Sequence, residues 1–372
     1  MNILILPDKF KDALSSREVA DAMAEGLRGA CPDAHIEAFS MADGGEGSLD
    51  AWLQLEDAVE ETAEVMDPLM RPVRARFGLS RDGKTAFVEM AQASGLALLK
   101  LEERNCWYTS TFGTGELIAK ALGKGVQRII LSVGGSATVD GGTGMAAALG
   151  FRFFDEKRQL ISPTGGSLLH IHAVEKGGLH PRLGDVAFEV WTDVGNPLCG
   201  LEGAAYTFAR QKGATEAQLP LLDEGLRHLS EILGHPGDFP GAGAAGGLAY
   251  GAVAFLSARV LSGADQFLSY PAIREAFARA DVIFTGEGRL DGQTRYGKLI
   301  HAVCRRAAER KTPVIALCGA VEASEAEIAD LGLLAAFSVN RAPGPLPALL
   351  PRTRDNLRHL AGQLGRVLCK LL

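Results

Sequence analysis

The chain has 372 residues, 47% hydrophobic and 22% charged, which is enough apolar material for more than one core and too much for a disordered chain. Lys and Arg number 38 against 45 Asp and Glu, a formal net charge of −7 without any basic tract, so a small ligand is expected rather than nucleic acid. The six cysteines (Cys31, Cys106, Cys199, Cys304, Cys318, Cys369) are scattered and never form C-x-x-C, so neither a disulfide framework nor a zinc site is expected, and a cytoplasmic location fits.

The apolar run at 3–6 is too short for the core of an export signal. Residues 2–6 read as a buried strand leading into a helix, which opens with the capping-box pattern Ser15-Ser16-Arg17-Glu18 and presents Val19, Met23 and Leu27 on one face. A second strand is expected at 35–41, followed by Asp43-Gly44-Gly45-Glu46-Gly47 and an apolar-periodic segment at 49–55. Residues 61–89 alternate apolar and polar around Arg81-Asp82-Gly83, as a hairpin would. A helix at 116–122, a buried strand at 128–133 and another strand at 186–192 continue this middle region. Residues 239–258 carry no charge, but five glycines and a proline argue against a membrane span. Strands are expected again at 281–285, 313–318 and 334–339, with a helix at 298–310 and a surface loop at 343–351 before a terminal helix. The alternation at both ends predicts a doubly wound parallel sheet built from residues 1–60 and 281–372, with 61–280 as an inserted α/β domain.

Glycine is clustered. After the strand at 128–133 comes Gly134-Gly135-Ser136-Ala137-Thr138-Val139-Asp140-Gly141-Gly142-Thr143-Gly144, ahead of a helix-forming run. Glycine lets backbone N–H groups approach an oxyanion, a helix N-terminus adds its dipole and hydroxyls add donors, so Gly134, Gly135, Ser136 and Thr138 suit phosphate. Gly241-Ala242-Gly243-Ala244-Ala245-Gly246 matches G-x-G-x-x-G, yet the preceding residues read as a loop, not the strand a dinucleotide fingerprint needs. Gly241, Gly243 and Gly246 are therefore either a second anion site or close packing at a helix start, and a nicotinamide-linked dehydrogenase is the runner-up function. Gly292-Gln293-Thr294-Arg295-Tyr296-Gly297-Lys298-Leu299 misses the P-loop pattern at its last position, where Leu299 offers Mg²⁺ no hydroxyl. Asp43, Asp193 and Asp291 each follow a strand candidate beside Gly or Asn, where open α/β sheets place their ligand crevice. Lys9 and Lys11, on the loop after the first strand, suit phosphate or carboxylate. No G-x-S-x-G or H-E-x-x-H occurs, which leaves hydrolase and zinc chemistry unsupported.

Taken together, Pro7-Asp8-Lys9-Phe10-Lys11, Met41-Ala42-Asp43-Gly44-Gly45-Glu46-Gly47, Phe112-Gly113-Thr114-Gly115-Glu116-Leu117, residues 134–142, Asn196-Pro197-Leu198-Cys199-Gly200, residues 240–247 and Thr285-Gly286-Glu287-Gly288-Arg289-Leu290-Asp291 resemble the bacterial type I glycerate kinases. The blocks come in the same order and span nearly the whole chain. The resemblance implies a flavodoxin-like doubly wound domain carrying a large inserted α/β domain. It also implies ATP- and Mg²⁺-dependent phosphorylation of D-glycerate, the 2-hydroxyl favoured over the 3-hydroxyl. Small molecules are then the partners, without nucleic acid or membrane, and self-association is left open. The family's residue types are kept at Lys11, Asp43, Glu46, Ser136, Asp140, Asp193, Asn196, Glu287, Arg289, Asp291 and Gln293, whereas Gly is usual where Met70 stands. Phosphoryl transfer requires aligned reactants and neutralised oxygens. On that chemistry Asp193, Asp43 and Lys11 are the catalytic candidates, and Arg289, Lys9, Gln293 and Asn196 the substrate-binding ones, Arg289 gripping a carboxylate with two hydrogen bonds. Gly134, Gly135, Ser136 and Thr138, or Gly241, Gly243 and Gly246, hold the ATP phosphates, and Asp193 with Asp291 or Asp43 binds Mg²⁺.

Overall fold

Short apolar runs buried on both faces become parallel strands, because helices cover both sides of such a sheet. The computed structural model describes residues 1–291 and 299–371. Its chain divides into two units, Met1–Asp43 with Gly263–Leu372, and Gly44–Ser262.

In the first unit five strands pair in parallel in the order Ala335–Ser338, Val314–Cys318, Val282–Gly286, Asn2–Pro7, His35–Ala38. Numbered along this unit, that is the 2-1-3-4-5 order of flavodoxin-like folds, with its switch point between Asn2–Pro7 and Val282–Gly286. The Ser16–Ala30 helix starts at the expected capping box: the Ser15 side chain accepts from the Glu18 amide, and the Glu18 carboxylate accepts from the Ser15 amide at 2.8 Å. The Thr353–Leu371 helix packs along it so closely that a Cβ on Gly26 would lie 2.1 Å from the Arg358 carbonyl oxygen. This helix pair carries a Glu25–Arg354 ion pair at one end and a Cys31–Cys369 disulfide at the other. That disulfide corrects the expectation of no disulfide. Its partners stand 338 residues apart in sequence, and only helix packing brings them together.

The second unit holds a six-stranded sheet in the order Arg259–Leu261, Ala187–Trp191, Arg128–Ser132, Thr85–Glu89, Pro72–Leu79, Val59–Met66. The first four are parallel and the last two antiparallel. Residues 59–89 therefore form three strands instead of one hairpin. The additional turn is built by Asp67, whose carboxylate accepts from the amides of Leu69 (2.8 Å) and Arg71 (2.9 Å). Met70 sits in that turn at φ 62°, the left-handed region. Trp52, on the Ser48–Leu55 helix, stacks on Phe87 with ring centroids 5.3 Å apart. Gly78 makes room for it, since a Cβ there would stand 2.6 Å from the Trp52 ring. This packing places the Ser48–Leu55 helix in the second unit, so the chain passes between units at 43/44 instead of 60/61. The return falls at 262/263 instead of 280/281, because the Gly263–Leu268 and Pro271–Arg279 helices pack within the first unit. The uncharged stretch at 239–258 forms the buried Ala244–Leu256 helix, and no described helix is long and apolar enough to cross a membrane.

Candidate active site

In the first unit the residues just beyond the switch-point strands are charged. Asp8 follows Asn2–Pro7 and Glu287 follows Val282–Gly286. Burial foremost, then the nearby Asp43 charge and more weakly Glu287, pushes the Asp8 carboxyl well above the ordinary carboxylate range, although the Lys9 amide and charge pull the other way. The Lys9 amide donates to Asp8 Oδ1 at 2.7 Å. Lys9 is half-buried and Lys11 exposed. Arg289 is exposed and already engaged by two carboxylates, Asp291 at 3.6 Å and Glu322.

In the second unit the parallel strands Thr85–Glu89, Arg128–Ser132 and Ala187–Trp191 end level, with Glu89 and Trp191 both in register with Ser132. Gly44 and Gly45 lie across these ends. The Gly44 carbonyl accepts from the amides of Val133 (3.1 Å) and Gly134 (3.2 Å). A Cβ on Gly44 would stand 2.5 Å from the Trp191 carbonyl oxygen, and one on Gly134 would stand 2.3 Å from Gly45 Cα. Only glycine allows that approach. Glu89 caps the Ser48–Leu55 helix, its Oε2 accepting from the amides of Gly47 (3.0 Å) and Leu49 (2.9 Å).

Gly135 then turns outward at φ 76°, exposed, with the exposed Glu46 side chain beside it. Its carbonyl accepts from Leu96 at 2.8 Å, but among the described residues the amides of Gly135 and Ser136 donate to no protein acceptor. Thr138 is fully buried, and its hydroxyl has no partner there either. Lys212 is 3% exposed, and its ammonium donates to Ser136 Oγ at 2.6 Å and to the Thr138 carbonyl at 2.8 Å. Burial pushes its pKa down to about 8. Asp140 is internal: Oδ2 accepts from the Thr111 amide (2.7 Å), the Thr111 hydroxyl (2.8 Å) and the Gly144 amide (3.2 Å), and Oδ1 accepts from the Gly142 amide (3.2 Å). Burial raises its pKa despite these donors.

The predicted residues divide between these surroundings. Gly134, Gly135 and Ser136 lie at the strand ends, with Asp193 two residues past Trp191. Gly241, Gly243 and Gly246 are buried in backbone packing instead. The Gly243 amide donates to the Asn196 carbonyl at 2.9 Å, the Gly246 carbonyl accepts from Gly141 at 3.0 Å, and a Cβ on Gly246 would meet the Thr138 carbonyl oxygen at 2.0 Å. The two glycine clusters thus pack on each other, the close-packing alternative for residues 241–246. Asn196 steadies its own loop, donating from Nδ2 to the Glu202 carbonyl at 2.7 Å. Gln293 and the P-loop-like stretch 292–298 lie outside the described residues. Among the described residues, no three His, Cys, Asp or Glu side chains converge on a metal position. Sequence reasoning gave no role to Asp8, which carries the same strand-end signal as Asp43, or to Lys212, which sits in the polar run Arg210-Gln211-Lys212 that reads as solvated.

Strand-end carboxylates and lysines in one parallel sheet and an open-amide glycine turn in the other belong to an α/β enzyme that handles anionic ligands. The Glycerate kinase family matches residues 3–369. The chain is 42% identical over 342 residues to a glycerate kinase of Halalkalibacterium halodurans, covering 91% of this chain and 90% of that one. It is 41% identical over 374 residues to the glycerate 2-kinase of Escherichia coli K12, covering 98% of each. A crystal structure from Salmonella typhimurium LT2, provisionally designated glycerate kinase 2, superposes with a TM-score of 0.84 at 38% identity and covers 100% of this chain and 98% of its own. The chain belongs to the glycerate kinase family. It is a phosphotransferase with an alcohol acceptor.

Proposed function

We propose that this chain phosphorylates D-glycerate with ATP, delivering the γ-phosphoryl group to the 2-hydroxyl in preference to the 3-hydroxyl, in the cytoplasm. Carrying this reading are the open amides of Gly135 and Ser136 at the ends of parallel strands, which suit phosphate oxygens. The name of the Escherichia coli relative supports the 2-hydroxyl. The nucleotide's phosphates bind at Gly134, Gly135 and Ser136. Lys9 and Lys11 hold the glycerate carboxylate as point charges, a role Arg289 fills less well because Asp291 and Glu322 engage it.

Asp43 or Asp193 accepts the proton of the attacking hydroxyl late in transfer. Mg²⁺ is ordinarily held by one or two carboxylates together with substrate phosphates, so a dedicated cage is not required. Asp8 and Asp43 offer hard oxygens whose mutual repulsion a cation relieves, so these two would hold the metal brought with ATP. When bound, it neutralises phosphate oxygens. Incubating the protein with Mg-ATP and D-glycerate and identifying the product by phosphorus NMR tests the reading. The 2-phosphate is expected, the 3-phosphate overturns the regiochemistry, and no phosphoglycerate overturns the reading itself. Asp193→Asn should lower turnover about 10²-fold with an unchanged melting temperature, and near-normal turnover removes Asp193 from the site.

A further inference from the structure

Lys212 is a buried cation that no carboxylate among the described residues pairs. Its ammonium, on the short Arg210–Lys212 turn, spends its hydrogen bonds on a hydroxyl and a carbonyl, and no ion pair to it occurs among the described residues. The titratable groups facing it are Cys106 and Asp140. The Cys106 thiol, pushed up to about 11 by burial, is neutral, and the Asp140 carboxylate is committed to four donors of its own. An ammonium held in the interior with no carboxylate in direct contact, and only the more distant Asp140 charge in its favour, costs free energy, so its retention calls for a return.

Both acceptors of Lys212 belong to the turn at 134–138, and that turn carries the amides of Gly135, which is exposed, and Ser136, which donate to no protein acceptor among the described residues. With Lys212 occupying the Ser136 oxygen, the hydroxyl hydrogen of Ser136 is free to point elsewhere. A positive charge behind open donors is the arrangement an incoming polyphosphate completes.

We propose that Lys212 is a positioning residue for the nucleotide, holding the 134–138 turn in shape through Ser136 and Thr138 and supplying the charge its phosphates would meet there. The inference rests on the assignment of ATP phosphates to this turn. Below its pKa of about 8 Lys212 is charged, and as pH rises through that value the charge, and with it nucleotide affinity, is lost. The terminal phosphate of ATP is already ionised above about pH 7, so the window from there to about pH 9 separates the lysine from the nucleotide's own ionisation, and the Lys212→Met profile separates it from the protein's other groups.

The test is ATP affinity by calorimetry across that window, with KM for ATP and for glycerate measured separately. Wild type should weaken about tenfold or more as pH rises, whereas Lys212→Met should be weak throughout and flat with pH, its glycerate KM unchanged. The wild-type titration needs no variant and decides the matter alone where Lys212→Met fails to fold. A flat wild-type profile, or a Lys212→Met protein that binds ATP normally, overturns the proposal. Gly135→Val separates the two levels. If it loses ATP while Lys212 has no effect, only the role of Lys212 falls. If it too binds ATP normally, the assignment of phosphates to this turn falls, and the proposal with it.

Discussion

Replacing Asp140 separates a residue that shapes the glycine turn from one that reacts in it. Asp140→Ala leaves the amides of Thr111, Gly142 and Gly144 without their acceptor in a fully buried setting. Each stranded donor costs about 1–3 kcal/mol. Relief of the buried carboxylate's own desolvation and local relaxation offset part of the sum, leaving a loss of about 3–5 kcal/mol. Asp140→Asn is gentler, since its carbonyl oxygen can stand where Oδ2 accepts three of the four bonds, while its amide faces the Gly142 N–H donor to donor, a loss of about 1–2 kcal/mol. Trp52, Trp107 and Trp191, the chain's 3 tryptophans, all lie in the second unit. Their fluorescence during urea unfolding at neutral pH therefore reports the unit that contains Asp140, and the alanine variant should lose at least twice what the asparagine variant loses. Turnover of the folded fraction should stay within about tenfold of wild type, because a shape-holding group touches no reacting atom. The reasoning fails if both variants unfold like wild type and turnover collapses, since Asp140 would then act in the chemistry.

Three further outcomes follow from particular residues. Met70, 49% exposed at φ 62°, gives up only the packing of a half-covered side chain when replaced, less than the left-handed backbone costs it, so Met70→Gly should stabilise the second unit by about 1 kcal/mol; a lower melting temperature refutes the strain. Unreduced, denatured protein should titrate four thiols (Cys106, Cys199, Cys304, Cys318) and reduced protein all 6, with Cys31→Ser costing about 2–4 kcal/mol; six thiols before reduction remove the cross-link. Asp8 holds its proton more tightly folded than unfolded, so its stabilising contribution is full below the unfolded pKa of 3.8 and is lost as pH rises through the raised folded value. Asp8→Asn should therefore be more stable than wild type at neutral pH but not at about pH 3, and should turn over more slowly; equal stability at both pH values refutes the carboxylate cluster.

What could be read from the chain alone was local. The capping box at Ser15 and Glu18 and the apolar strand runs at 2–6, 128–133 and 281–285 each dictate their element through neighbours a few residues away, and the structure forms every one of them to within a residue or so at its ends. The turn at 67–71 escaped because its maker is a single carboxylate, Asp67, and the residue in the left-handed position is Met where glycine would have announced it. Glycine density pointed to the strand ends at Gly134 and Gly135 but could not distinguish an amide turned outward from one pressed on a neighbouring backbone. Gly135 and Gly246 look alike in sequence, yet one is exposed and the other meets the Thr138 carbonyl. Asp140 and Lys212 invert the same way. The acid inside the motif is spent on holding Thr111, Gly142 and Gly144, and the cation that serves the turn comes from a polar run more than 70 residues later, Lys212 standing 76 positions after Ser136. Motif spacing locates where a chain can meet an anion; which side chain carries the charge is settled by burial, which no spacing encodes.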